Sequence, residues 1–317
     1  MAHELDYTTG EAAFAHVNEQ AWHKEGKKLE VGAPIEEWQV AAGMDWHIKE
    51  TPVKFVDHHG NLMSVSDKKV LYRSDTGDSL SVVGDQYKVV QPKEVLEFFR
   101  DLISDTDMYL DTAGCLKKGT IFWANANTSK VDYIGKPNDI IKGNLFLMTG
   151  CTGTISTSAS FVGCRVVCMN TMRIANAEET TRVRVTHRQD FDMDMVKRRL
   201  GLFDSAWGEY IENLNKLASK QVSDSTVHEL YKELVYVDKA NPTPQAVNQV
   251  NLLMNLYKNG KGAEMTYGNL YGALNGVTEA VDWHSRNRSE DSKIMNKFYG
   301  KGAELKQEAF DLLLELA

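Results

Sequence analysis

Net positive charge is the first thing this 317-residue sequence lacks: 36 Lys and Arg against 44 Asp and Glu leave −8. A protein that coats duplex DNA through overall basicity is therefore not expected, although a local basic groove stays open. No apolar run approaches the ~18 residues that a membrane-spanning helix requires, so no membrane partner is expected. The opening MAHELDYTTG has neither a basic region nor an apolar core, so no signal peptide is expected and the protein is read as cytoplasmic. Only four cysteines occur, Cys115, Cys151, Cys164 and Cys168, which suits a reducing compartment. They form no C-x-x-C, and no H-x-x-x-H accompanies them, so the spacing is not that of a structural zinc site. We read them as small buried hydrophobes and expect no metal and no cofactor. With six prolines and no low-complexity tract, no flexible linker is evident.

The familiar catalytic signatures are missing too. No Gly-x-Ser-x-Gly occurs, and the hydroxyl-rich segment Thr154, Ser156, Thr157, Ser158 and Ser160 has no His or carboxylate close in sequence to complete a triad. Gly150-Cys151-Thr152-Gly153 lacks the Gly-Lys-Ser/Thr ending of a nucleotide-hydrolysing loop, and the dinucleotide fingerprint is absent.

What is present is organised around Asn144 to His187. An apolar run, Leu145 to Met148, leads into small residues and then a second apolar run, Phe161 to Met169, which Arg165 interrupts. Upstream, period-two alternation predicts strands at 45–56, 70–73, 79–83, 108–116 and 120–125, the last two forming a hairpin about Lys117-Lys118-Gly119. Pro34–Ala42 and Lys93–Ser104 read as helices with Pro at their starts. Residues 140–148 and 161–167 read as buried strands, and Asn170-Thr171 as the cap of a short helix. Residues 1–33 read as irregular, with Ala21-Trp22-His23 a docking point. From Asp190 the period becomes helical: a stripe from Met195 to Leu217, then 227–237, 243–258, 267–283 and 301–316. The expectation is an α+β fold: a mixed or antiparallel sheet with packed helices in the N-terminal half, followed by a helical C-terminal half. The domains expected are 1–188, strand-rich with an irregular N-terminal arm, and 189–317, helical and packed on it.

Four groups of residues bear on chemistry. Arg165, inside an apolar strand, needs either a carboxylate partner or a ligand anion; Arg165→Met is expected to impair ligand binding more than folding. Asp190, Asp192 and Asp194 are spaced to hold a metal, or else to complement a helix dipole ahead of Lys197, Arg198 and Arg199. Arg182, Arg184 and Arg188 with Lys197, Arg198 and Arg199 supply six cations; less the three aspartates, the stretch nets +3. Alternation puts Arg182 and Arg184 on one strand face, suited to phosphates, with Arg165 and Arg173 just upstream and Trp46, Trp123 and Tyr133 as aromatics to stack on bases. The alternative is a solvated basic face over core aromatics. Finally, Asp282 and His284 follow a predicted helix, either as polar groups satisfying its end or as part of a site.

Combined motifs carry a resemblance across nearly the whole chain: Trp38…Ala41-Ala42-Gly43-Met44-Asp45-Trp46; Val82-Val83-Gly84…Tyr87-Lys88-Val89-Val90-Gln91-Pro92…Phe98-Phe99; Arg165-Val166-Val167-Cys168-Met169-Asn170-Thr171-Met172; Arg184…Thr186-His187; and Leu270-Tyr271-Gly272-Ala273-Leu274-Asn275-Gly276-Val277-Thr278-Glu279…Asp282…His284. The sequence resembles a family of phage/plasmid-like proteins that carries a domain of unknown function. The resemblance implies a mobile-element setting in a bacterial host cytoplasm and supplies no catalytic residues. One expectation is a DNA-metabolism protein that binds single-stranded DNA, an oligomeric annealing protein by fold-level analogy with phage recombinases. A second is a metal-dependent enzyme on nucleic acid or nucleotide, using Asp190, Asp192, Asp194, Glu279, Asp282 and His284. A third is a protein-binding antagonist of host defence.

Overall fold

Propensity and pairing together place the strands early and the helices late. The computed structural model describes residues 5–18, 25–174, 182–185, 203–238, 240–286, 293 and 296–317, with the backbone alone at 101, 105, 182–185 and 203–205. The strands are β1 (Phe14–His16), β2 (Lys27–Lys28), β3 (Ile48–Val56), β4 (Leu62–Arg73), β5 (Ser79–Gly84), β6 (Tyr109–Leu116), β7 (Ile121–Tyr133), β8 (Ile140–Gly150), β9 (Thr157–Arg165), β10 (Asn170–Arg173) and β11 (Arg182–Val185). Among them lie α1 (Ile35–Ala41) and α2 (Pro92–Asp105). After them come α3 (Phe203–Ser219), α4 (Asp224–Val235), α5 (Pro244–Asn259), α6 (Ala263–Thr266), α7 (Leu270–Glu279), a π-helical turn (Ala280–His284) and α8 (Lys301–Leu314). The fold is α+β, sheet-rich in its first half and helical in its second. No helix among the described residues is long and apolar enough to cross a membrane.

One sheet runs β10-β9-β8-β7-β6-β1-β2, with β11 also paired to β9; a second holds β3-β4-β5. β9 is shared lengthwise: β10 pairs antiparallel with Val162–Arg165 and β11 with Thr157–Ser160. All of β9 and nearly all of β8 are buried, so their apolar runs show no alternation. α2 starts where Pro92 presets φ and a reciprocal Gln91–Glu94 capping box satisfies two orphan N–H groups. Its Val95, Leu96, Phe98, Phe99 and Leu102 are buried.

The chain forms two compact units, neither contiguous in sequence. The first contains residues 1–129, 145–160 and 182–201, the second 130–144, 161–181 and 202–317. The domain boundary expected after residue 188 falls outside the described residues.

In the first unit, Trp38, Leu71, Phe98, Phe99 and Phe122 make a core. Within it Arg73 is 1% exposed, paired to Asp6 and Asp75 and stacked 4.0 Å over the Trp46 ring. In the second unit, α7 is buried along its whole length and packs on α5, with Tyr231 of α4 donating its hydroxyl to Ala273 O at 2.7 Å.

Several local expectations are corrected. Residues 14–16 and 27–28 are strands, not irregular chain. Asn170-Thr171 caps no helix: it opens β10, because pairing with β9 overrides the local preference. The strand expected through Val167 stops at Arg165, and Val166 and Val167 are exposed in the following turn. The helix expected over 267–283 starts only at Leu270, after Gly268 takes φ +95 and Asn269 caps α7 through its side chain. Ala21-Trp22-His23 lies outside the described residues.

Candidate functional site

The site belongs to the second unit and joins two stretches far apart in sequence, Arg165–Met172 and Leu270–His284. β9 ends at Arg165, the chain reverses through Val166–Met169, and β10 returns with Asn170 opposite Arg165 and Thr171 opposite Cys164. Met169 closes the reversal in the left-handed region, φ +55.

The end of α7 widens into the π-helical turn, a feature found often at functional positions. There the Asp282 carboxylate accepts the Thr171 backbone N–H (2.7 Å) and hydroxyl (3.0 Å). Lys306 of α8 donates to Asp282 Oδ1 and to Thr171 O, both at 2.6 Å, and Lys297 Nζ lies 3.5 Å from Asp282 Oδ2. One buried carboxylate thus ties together β10, the π turn and α8. Burial drives the Lys306 ammonium down to about 8, with Lys297 adding to the fall and Asp282 opposing it.

Arg165, 2% exposed, has its partner inside the protein: Nε and Nη2 donate to the two oxygens of Asp139, each at 2.6 Å, and Nη2 also to Gly262 O at 3.1 Å. Of the two possibilities the sequence left open, the carboxylate is the one found, and the bidentate geometry commits the guanidinium. Beside it is a cavity of about 20 Å³ lined by Arg165, Asn170, Thr171, Tyr210, Tyr271 and Asn275. That is room for about one water, not for a substrate. A larger, open groove of about 430 Å³ lies elsewhere in this unit, along Gln221–Asp224, Tyr267 and Gly268, and meets none of these groups.

Toward solvent the site ends in Trp283, 39% exposed. Its indole N–H donates to Asn170 Oδ1 at 3.0 Å, which fixes the ring. Lys261 Nζ stands 5.7 Å and Lys297 Nζ 5.3 Å from the ring centroid. Glu279 accepts the Lys261 backbone N–H at 3.1 Å, its carboxyl pushed up by burial. His284 Nε2 lies 4.0 Å from Glu279, and the imidazole is partly exposed.

Of the residues singled out in the sequence, Arg165, Glu279, Asp282 and His284 are brought together here. Arg173, half-buried at the end of β10, makes no side-chain hydrogen bond or ion pair among the described residues. Arg182 and Arg184 sit on one face of β11, in register with Ser160 and Ser158. Arg188, Lys197, Arg198, Arg199, Asp190, Asp192 and Asp194 lie outside the described residues. Sequence reasoning missed Asp139, Asn170, Lys261, Trp283, Lys297 and Lys306. Asn170 and Trp283 had a signal, since both lie inside the motif stretches; the lysines had none. Among the described residues no three His, Cys, Asp or Glu side chains are grouped to hold a metal.

A family model described as Domain of unknown function (DUF932) matches residues 79–298. No curated protein and no solved structure matches the chain.

Proposed function

The chain belongs to the DUF932 family, and from that premise we propose that it binds single-stranded nucleic acid, with Trp283 as a stacking platform. The observation that carries this is a partly exposed indole held at its N–H by Asn170, with the ammoniums of Lys261 and Lys297 over its ring at 5.7 and 5.3 Å and Lys297 shared with Asp282. Single-strand binders combine these parts: an aromatic face takes a base of any identity, and neighbouring cations take the phosphates on either side. Because Asn170 already fixes the ring, little ordering cost is left for binding. Arg182 and Arg184, alternating on β11, extend the proposal as phosphate contacts, with Arg173, Arg188 and Lys197–Arg199 as further candidates. A phage or plasmid setting in the bacterial cytoplasm, and annealing by a homo-oligomer, belong to the same proposal.

The test is fluorescence anisotropy with a labelled oligo-dT across a salt series. Trp283→Ala is expected to cost about 1–3 kcal/mol of binding. Lys261→Gln with Lys297→Gln is expected to flatten the plot of log affinity against log salt by about 0.7 for each phosphate no longer neutralised. No binding at about 50 mM salt, where electrostatic contacts are strong, overturns the proposal.

A second reading, an enzyme acting on nucleic acid or nucleotide, draws on the raised carboxyl of Glu279 beside His284. Turnover of nucleotide or strand that Glu279→Gln abolishes, with binding intact, would favour it.

A further inference from the structure

In the second unit, two buried charges converge on the backbone of one exposed residue. The loop Gly260-Lys261-Gly262 follows α5, and it is held from both sides. On one side the Glu279 carboxylate accepts the Lys261 backbone N–H, 3.1 Å from Oε2 and 3.4 Å from Oε1. On the other, Arg165 Nη2 donates to Gly262 O at 3.1 Å and Nη1 to Lys261 O at 3.5 Å. Asp139 anchors Arg165 in turn. Glu279 is 6% exposed and Arg165 2%.

The two glycines beside Lys261 follow from this approach. Gly260 has φ −66, which any residue adopts, but a Cβ there would stand 2.5 Å from Glu279 Oε2 and 2.5 Å from Leu256 O. Gly262 has φ +76, and a Cβ there would stand 3.1 Å from both Nη atoms of Arg165. Glycine on each side lets the charged groups close on the backbone.

Buried charges are costly, and well-packed apolar side chains in their place are often no less stable. These two are committed to a residue whose own side chain lies outside the core. Lys261 is exposed, and its ammonium, in no ion pair among the described residues, stands 5.7 Å from the Trp283 ring centroid. A lysine stem is flexible, so fixing its backbone decides which surface the ammonium can reach. Asn170 fixes the indole itself.

We propose that Glu279, together with Arg165, is a positioning residue that holds the Lys261 ammonium beside Trp283, where it takes the phosphate next to the stacked base. It rests on the single-strand reading above.

The test uses the full chain, with oligo-dT anisotropy across salt and thermal unfolding. Glu279→Leu removes both the charge and the acceptor; Glu279→Gln removes the charge and keeps an acceptor for the Lys261 N–H. Loss of a nearby negative charge alone would strengthen phosphate binding, so the field of Glu279 and its positioning act with opposite signs. Glu279→Leu is expected to weaken binding and to flatten the salt slope by about 0.7, the share of one phosphate. Glu279→Gln should bind at least as tightly as the wild type. Combined with Lys261→Gln, Glu279→Leu should bring no further loss, because its effect passes through Lys261. Gly260→Ala leaves every charge in place but obstructs the approach of Glu279, and should reproduce the loss; it carries the test if Glu279→Leu does not fold. Equal tightening by the leucine and glutamine variants would show that Glu279 acts through its charge alone. A Glu279→Leu loss that persists in full beside Lys261→Gln, or a lowered Tm with unchanged binding, would make Glu279 merely structural. Any of these overturns the proposal. If Trp283→Ala then still weakens binding, the single-strand reading survives and this one alone falls; a wild-type chain that binds no oligonucleotide removes both.

Discussion

Arg165 shows what one residue type in one context does and does not reveal. A charge inside an apolar run must be compensated, and that much could be read from the sequence. Its partner could not: Asp139 lies 26 residues earlier, just before β8, and only strand pairing brings it near. The role changes with the partner. Arg165→Met leaves the Asp139 carboxylate buried and unpaired, so its first effect is expected on stability rather than on ligand binding. Urea denaturation should read a loss of about 3–5 kcal/mol, and the double change Asp139→Leu with Arg165→Met should recover most of it.

Lys306 gives a pH-dependent test at the same scale. Its proton is held to about 8 in the folded protein, below the usual lysine value, because burial penalises the ammonium more than Asp282 repays it. Between pH 8 and about 10 the unfolded chain binds a proton here that the folded chain does not. Lys306 therefore adds stability as pH rises through that window, by up to on the order of 3 kcal/mol, while the buried cysteines, whose thiols ionise from about pH 8.5 in the unfolded chain and stay protonated in the folded one, take stability away over the same range. The Lys306 contribution is therefore read as the wild-type stability minus that of Lys306→Met in a pH series of denaturation midpoints, and this difference should grow from about pH 8 to 10. A difference that stays constant with pH would show that the Lys306 proton is not displaced by folding.

At the scale of elements, periodicity was informative wherever one face is buried and misleading wherever tertiary pairing decides. α2 and β6–β7 follow their patterns because local preference and packing agree. β10 does not: Asn170-Thr171 favours a cap, but strand pairing with β9 and the Asp282 carboxylate offer its backbone a better partner set. The π turn left no trace in the pattern, since a single widened turn scarcely disturbs a 3.6-residue period, yet it presents Asp282 and Trp283 to β10. The cysteines test the strand assignments. All four are buried, with Cys115 well above the usual thiol range and Cys151 pushed up to about 12, each by burial. Native protein should react slowly with a thiol reagent and quickly in denaturant. Rapid native labelling of Cys168, which sits in the turn after β9 rather than in a strand, would show that turn to open independently of the sheet.

For the molecule as a whole, a net charge of −8 sets the condition that any strand binding must satisfy. Attraction cannot come from the overall field; it must come from local sets of cations such as Lys261 and Lys297 about Trp283. Affinity should then fall with salt with a slope of about −2 to −3.5 for three to five phosphate contacts, and it should show little preference among base sequences. The most direct measurement is photocrosslinking of the full chain to an oligo-dT strand carrying 5-iododeoxyuridine, followed by mass-spectrometric mapping of the joined peptide. The expected result is a crosslink at Trp283 that Asn170→Ala weakens by freeing the indole. Crosslinks confined to peptides without Trp283, or none under conditions where the strand is bound, would contradict the assignment of Trp283 as the stacking platform.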